Sequence, residues 1–183
     1  YLVMDLDMLP PDPVDLVRWR RDGVLRWLVD QSIFSLDIPC SADPYIARRL
    51  KAFTIFGDKA LHATAFLSVG EFLLLACIEF DDLQTFDWLI REQGVSYESL
   101  VCNGLNVVHL CALYGRIEIF LWLRTMEKIG PLLNAPCERK PWNKLYACHL
   151  AVLRGFVSVA DVQLSAGLSE CDYHREIRGA IGA

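Results

Sequence analysis

Twelve residues recur in this chain, GLNVVHLCALYG at 104–115 and KLYACHLAVLRG at 144–155. In each copy a His precedes Leu and small or apolar residues, and a Gly stands six positions after the His. An apolar run with no Gly or Pro inside it favours a helix, and the closing Gly supplies the left-handed conformation that ends one abruptly. A unit this short has no core of its own, so repetition predicts stacking of one unit on the next.

Helical spacing of apolar residues extends beyond the repeat, and almost no strand signal accompanies it. The class predicted is all-α. A first helix is expected from Asp12, with Pro13 in its first turn, through Leu16, Val17 and Trp19 to Arg21. A second follows from Gly23 through Leu25, Trp27 and Leu28, and Asp43-Pro44 opens a third that Gly57 ends. The apolar stretch 63–78 carries Glu71 beside Gly70 and falls short of the roughly 20 residues a spanning helix needs. It reads as two buried helices, 58–68 and 70–79, joined at Val69-Gly70. The remaining pairs are 82–92 closed by Gly94, 105–114 with 116–126, and 144–154 with 156–166, and 171–183 begins a further helix.

A second repetition reinforces the first. Trp88-Leu89 and Trp122-Leu123 each follow an apolar residue five positions earlier, and Trp27-Leu28 closes a similar run. Trp27, Trp88 and Trp122 thus recur at one helical position, which predicts packing between units. Trp88 and Trp122 are 34 residues apart, close to a repeat period of roughly 33, while His109 and His149 are 40 apart, about seven more than that period, and the extra residues lie within 126–142. That connection carries Gly130, Pro131, Pro136 and Pro141.

These segments resemble the ankyrin repeat, whose first helix opens G-x-T-P-L-H-x-A-A-x-x-G. Gly104, His109, Leu110, Ala112 and Gly115 follow that pattern, as do His149, Leu150, Ala151 and Gly155. Ala166-Gly167 resembles the close of the second helix, and Gly57, Leu61, His62, Ala63 and Ala65 begin a further copy. Asn106, Tyr146 and Lys59 stand where the family has Thr. The resemblance implies that this position bonds to the backbone and to the His and links neighbouring turns, which makes the His structural. It implies one domain over 1–183, with divergent helices in 1–56 and clearer repeats in 57–183, as an ankyrin-like α-solenoid of about four to five stacked helix pairs.

Composition bounds the function classes. At 183 residues and 54% hydrophobic, with a mean hydropathy of +0.28, the chain supports a continuous core and suggests apolar surface covered by a partner. A net charge of -5 argues against nucleic-acid binding. The basic runs Arg18/Arg20/Arg21 and Arg139/Lys140/Lys144 read as solvated faces. Seven Cys without a C-x-x-C read as reduced core thiols, which points to an intracellular, reducing compartment, the cytoplasm first, with nucleus and organelle matrix as alternatives. A chain opening on Tyr1 is compatible with a leader already removed.

No nucleophile-elbow, phosphate-loop, dinucleotide or zincin motif is present in the sequence. Cys148-His149 are adjacent, about 100° apart on a helix, and Cys171 with His174 completes no finger spacing, so no metal is expected. No cofactor and no catalytic residue is expected either. Trp142 stands apart from the other tryptophans, between Pro141 and Asn143 and close to Arg139, Lys140 and Lys144, as an interface anchor.

The resemblance implies a non-catalytic protein-protein interaction module, a scaffold or adaptor. Its partner-contacting residues are expected to be Asn103 and Leu105 at one tip, Tyr114 and Arg116 at the helix turn, and Arg139, Lys140, Trp142 and Tyr146 at the next. An acidic, apolar protein segment suits that basic tip, with no membrane span and no direct nucleic-acid contact. Two alternatives stay open: a structural subunit buried in a large ribonucleoprotein or cytoskeletal assembly, and a regulatory piece of a larger enzyme.

Overall fold

Asp12 caps the first helix as its position before Pro13 predicts: its carboxylate accepts the Val14 N–H at 2.8 Å. The computed structural model describes residues 12–43, 67–138 and 144–165. The helix expected at 44–56, the run 58–66 and the terminal helix 171–183 lie outside these residues. The fold is mostly helical, as the periodicity predicts, and the described residues divide into two compact units between Val107 and Val108.

In the first unit α1 (Pro13–Arg18) and α2 (Asp22–Asp30) turn on Arg20, whose φ of 51° is left-handed. Helix α3 (Val69–Phe80) is apolar on nearly every side, and burial of Phe72 through Ile78 makes it the centre of the unit, packed by α1 and by α4 (Leu83–Arg91). Its start is fixed by a reciprocal cap. Ser68 Oγ accepts the Glu71 N–H at 3.1 Å, and Glu71 Oε2 accepts the Ser68 N–H at 2.8 Å. Ser99 Oγ donates to the other Glu71 oxygen at 2.6 Å, which ties the later loop to the same cap. Gly70 is the second residue of α3. A Cβ there would meet Val95 at 2.8 Å, so this glycine serves close packing. Asp82 caps α4, accepting the Thr85 N–H at 3.1 Å and its hydroxyl at 2.7 Å.

A short ribbon follows. Strand β1 (Val101–Cys102) pairs antiparallel with β2 (Leu105–Asn106), and Asn103 and Gly104 between them have φ of 58° and 75°. Two positive φ values in a two-residue loop are the signature of a turn whose twist matches its strands, and Asn-Gly is the dipeptide that favours it. Periodicity was blind to these strands because each is only two residues long.

The second unit holds α5 (Val107–Tyr114) from Val108 onward, α6 (Ile117–Leu123), a 3-10 turn (Glu127–Ile129) running into α7 (Gly130–Leu133), α8 (Ala147–Leu153) and α9 (Val157–Ser165). Helix α9 packs on α8 and on α6. Both α5 and α8 end in one geometry: the Arg116 N–H reaches the Cys111 carbonyl at 2.9 Å, the Phe156 N–H reaches that of Ala151 at 2.8 Å, and the glycine before each donor has positive φ. That six-residue closure satisfies carbonyls the helix leaves open. The extra residues after α6 form the 3-10 turn and α7, with Ile129 and Leu133 buried.

Candidate interaction surface

His149, on α8, lies three residues after Tyr146, and its Nδ1 accepts the Tyr146 backbone N–H at 3.0 Å. The Tyr146 ring stands edge-on to it at 5.8 Å between centroids. A side-chain acceptor here satisfies an N–H that the helix leaves open, which explains why Tyr146, lacking an acceptor of the Thr kind, still starts a helix.

His109, on α5, is 1% exposed. Burial lowers its pKa to about 4, and the backbone of Leu145 and Ala135 nearby opposes the shift only in part. The Cys137 N–H donates to the Leu145 carbonyl at 2.7 Å, and the Lys144 N–H donates to the Cys137 carbonyl at 2.9 Å. Lys144 takes φ of 73° to make the turn. These two backbone bonds join the described residues on either side of 139–143.

The expected contact residues separate on inspection. Asn103 is half-buried at the hairpin tip, and Tyr114 and Arg116 flank Gly115 and are half-buried. Tyr146 is half-buried at the cap of α8. Leu105 is a correction: it is fully buried, paired with Cys102 across the ribbon, so its apolar side chain belongs to the core and is withheld from a partner. Arg139, Lys140 and Trp142 lie outside the described residues.

Trp27 is a second correction. Trp88 is buried at 3% exposure, but Trp27 is 47% exposed and Trp122 half-buried, so the three do not share one packing role. The reason is tertiary. Trp88 is covered by a neighbouring helix, with the Arg26 guanidinium 5.0 Å from its ring centre, whereas Leu25 and Leu28 turn the other face of α2 inward and leave Trp27 outside. Exposed apolar side chains that the residue-by-residue reading missed also include Trp19 at 61% and, around the α8–α9 corner, Val152, Leu153 and Val157. No sequence pattern distinguishes them from core residues.

The six described cysteines are buried. Burial, then the carboxylates of Asp43 and Glu71, push the Cys40 thiol up to about 12, and burial raises Cys77 well above its ordinary value, so neither is a thiolate. No three His, Cys, Asp or Glu side chains converge as a metal site would need, again among the described residues. A cleft of about 240 Å³ beyond the end of α2, lined by Val29, Phe34, Leu36, Asp37 and Gln93 among others, has Asp37 as its one ionisable group. No helix among the described residues is long and apolar enough to cross a membrane. No protein-family model and no curated protein matches the sequence.

Proposed function

We propose that this chain is a non-catalytic protein-binding module of ankyrin-like solenoid build, which takes a protein partner through its turn tips and the loop 138–143. The observation that carries the reading lies at the edges of that segment: the Cys137 N–H donates to the Leu145 carbonyl and the Lys144 N–H to the Cys137 carbonyl, with the buried His109 against the backbone of Leu145 and Ala135. Arg139, Lys140, Pro141 and Trp142 follow in the sequence between these edges, and an aromatic among cations is a composition suited to recognition. The two matched helix endings at Gly115 and Gly155 support the repeat architecture.

The test is in-cell crosslinking to recover the partner, followed by calorimetric titration of the purified partner into the wild-type chain and the Trp142→Ala/Lys140→Glu variant. Binding should weaken by about 2 kcal/mol, some thirtyfold, with the melting temperature unchanged. Retained affinity with a lowered melting temperature would assign Trp142 to the core and overturn the reading.

A second reading, a subunit held permanently in a larger assembly, is favoured by the exposure of Val152, Leu153 and Val157 at 56%, 65% and 60%. Size-exclusion chromatography separates the two: a monodisperse monomer supports the module, and aggregation without a partner supports the subunit.

A further inference from the structure

The tip of the β1–β2 hairpin brings an electrophile and a nucleophile into adjacent residues. Asn103 carries a carboxamide, and the backbone nitrogen of Gly104 follows it directly; the two alone form the loop, with φ of 58° and 75°. The ladder pairs Cys102 with Leu105 and Val101 with Asn106, which leaves the loop amides outside it. The Gly104 N–H donates to no acceptor among the described residues. A glycine nitrogen has no Cβ beside it to hinder its approach to a carbonyl carbon. Both loop residues are half-buried and the neighbouring Val101 is exposed, so water and hydroxide reach the tip. Reacting groups held within one dipeptide have the high effective concentration of an intramolecular pair.

We infer that Asn103 is a site of spontaneous covalent modification, converted through a cyclic imide with Gly104 into aspartate and isoaspartate. Hydroxide removes the Gly104 amide proton, and the nitrogen attacks Asn103 Cγ. The Cγ–Nδ2 bond breaks, and Nδ2 takes a proton from water and leaves as ammonia. Water then adds to one of the two ring carbonyls. Opening at Cγ restores the main chain with aspartate at 103; opening at the main-chain carbonyl leaves the chain running through Cβ and Cγ, with the new carboxylate on Cα. Water is the only co-reactant, and nothing is oxidised or reduced.

The two products differ in consequence. Aspartate keeps the turn, because like asparagine it tolerates positive φ, and it adds a negative charge at the tip. Isoaspartate lengthens the main chain of the loop by a methylene, and loop length sets the register of a hairpin. The pair next to the loop, Cys102 and Leu105, is fully buried, so a lost register is felt in the core. The tip therefore carries a one-way switch set by the age of the molecule.

The other asparagines are internal controls, since Asn106, Asn134 and Asn143 precede Val107, Ala135 and Lys144, each with a Cβ. The full chain is incubated for weeks in buffers of rising pH, digested, and mapped by mass spectrometry with electron-transfer fragmentation, which separates aspartate from isoaspartate. Asn103 should convert to both products well ahead of the other three, at a rate that rises with hydroxide. The isoaspartate fraction should melt below fresh protein, and Asn103→Asp close to it. Asn103→Gly keeps the positive φ without the carboxamide, so it should stay homogeneous and hold its melting temperature on storage. If Asn103 stays intact in the native chain while a denaturant-unfolded sample converts, the turn holds the nitrogen away from Cγ and the inference is overturned. Conversion of all four asparagines at like rates, a rate independent of pH, or an isoaspartate fraction that melts with the fresh protein would overturn it as well.

Discussion

The ring of Phe156 fills the space that a side chain on Gly115 would need: a Cβ there would lie 2.7 Å from the ring. Gly115 ends α5, and Phe156 follows the matching glycine that ends α8, so one corner of the repeat rests against the next. Gly155 has the same positive φ with nothing within 4 Å. The pair separates two effects that usually travel together. Gly155→Ala should cost about 1 kcal/mol for the left-handed backbone alone, and Gly115→Ala about 2 to 4 kcal/mol, because overpacking adds to it. Urea denaturation of the two variants measures the difference, and equal losses would show that the Phe156 contact yields freely.

His109 should make stability depend on pH. Its ordinary value is 6.5 and its folded value about 4, so between the two the unfolded chain binds a proton that the folded chain refuses. The contribution is complete above about pH 6.5, is lost as pH falls toward 4, and levels off below, with a full span on the order of 3 kcal/mol. His109→Gln should abolish that slope while lowering stability at pH 7 by about 1 to 3 kcal/mol through the loss of a buried polar ring and its contacts. Denaturation curves of both proteins at pH 7 and pH 5 provide the check. An unchanged slope in the variant would assign the titration to another group.

Gln163 is fully buried on α9, and neither its Oε1 nor its Nε2 has a hydrogen-bond partner among the described residues. A buried amide in that condition is destabilising, and an apolar side chain of similar shape relieves it. Gln163→Met should raise stability by about 1 to 2 kcal/mol, read as a higher melting temperature. A loss instead would mean that the amide serves a contact beyond the described residues.

Ser68→Ala removes the acceptor for the Glu71 N–H and half of the reciprocal cap on α3. A loss of about 1 kcal/mol is expected, and because α3 is the centre of its unit the loss should appear in global unfolding, not only in fraying. Amide exchange at Phe72 and Leu73 distinguishes these outcomes.

The thiols give a further check. In the Cys171→Ser variant the six described cysteines, all buried, should react with a disulfide reagent at pH 8 only after denaturant is added. Rapid labelling of any one in the native protein would show that its segment opens locally.

Much of this was legible along the chain. Asp12 before Pro13, the helical spacing of Phe86 and Leu89, and the glycines that end α5 and α8 act within a few residues of themselves, so reading them needs no knowledge of distant contacts. Asn103-Gly104 is equally local and marks the turn, yet Leu105 and Asn106, expected in the helix 105–114, pair as a strand, because strands of two residues leave no alternation to detect. The connection after α6 carries three Pro, and part of it is helical with Ile129 and Leu133 buried, which its spacing does not announce.

What the sequence alone determined is where helices start, where they stop and which residues are apolar enough to be buried, since dihedral preference and periodicity are properties of neighbours in the chain. The tertiary structure decided which faces are covered. Trp27 and Trp88 have the same local pattern, and one lies open while the other lies under Arg26. In that pair the local sequence is alike, and the difference comes from a distant segment that packs against one member and not the other.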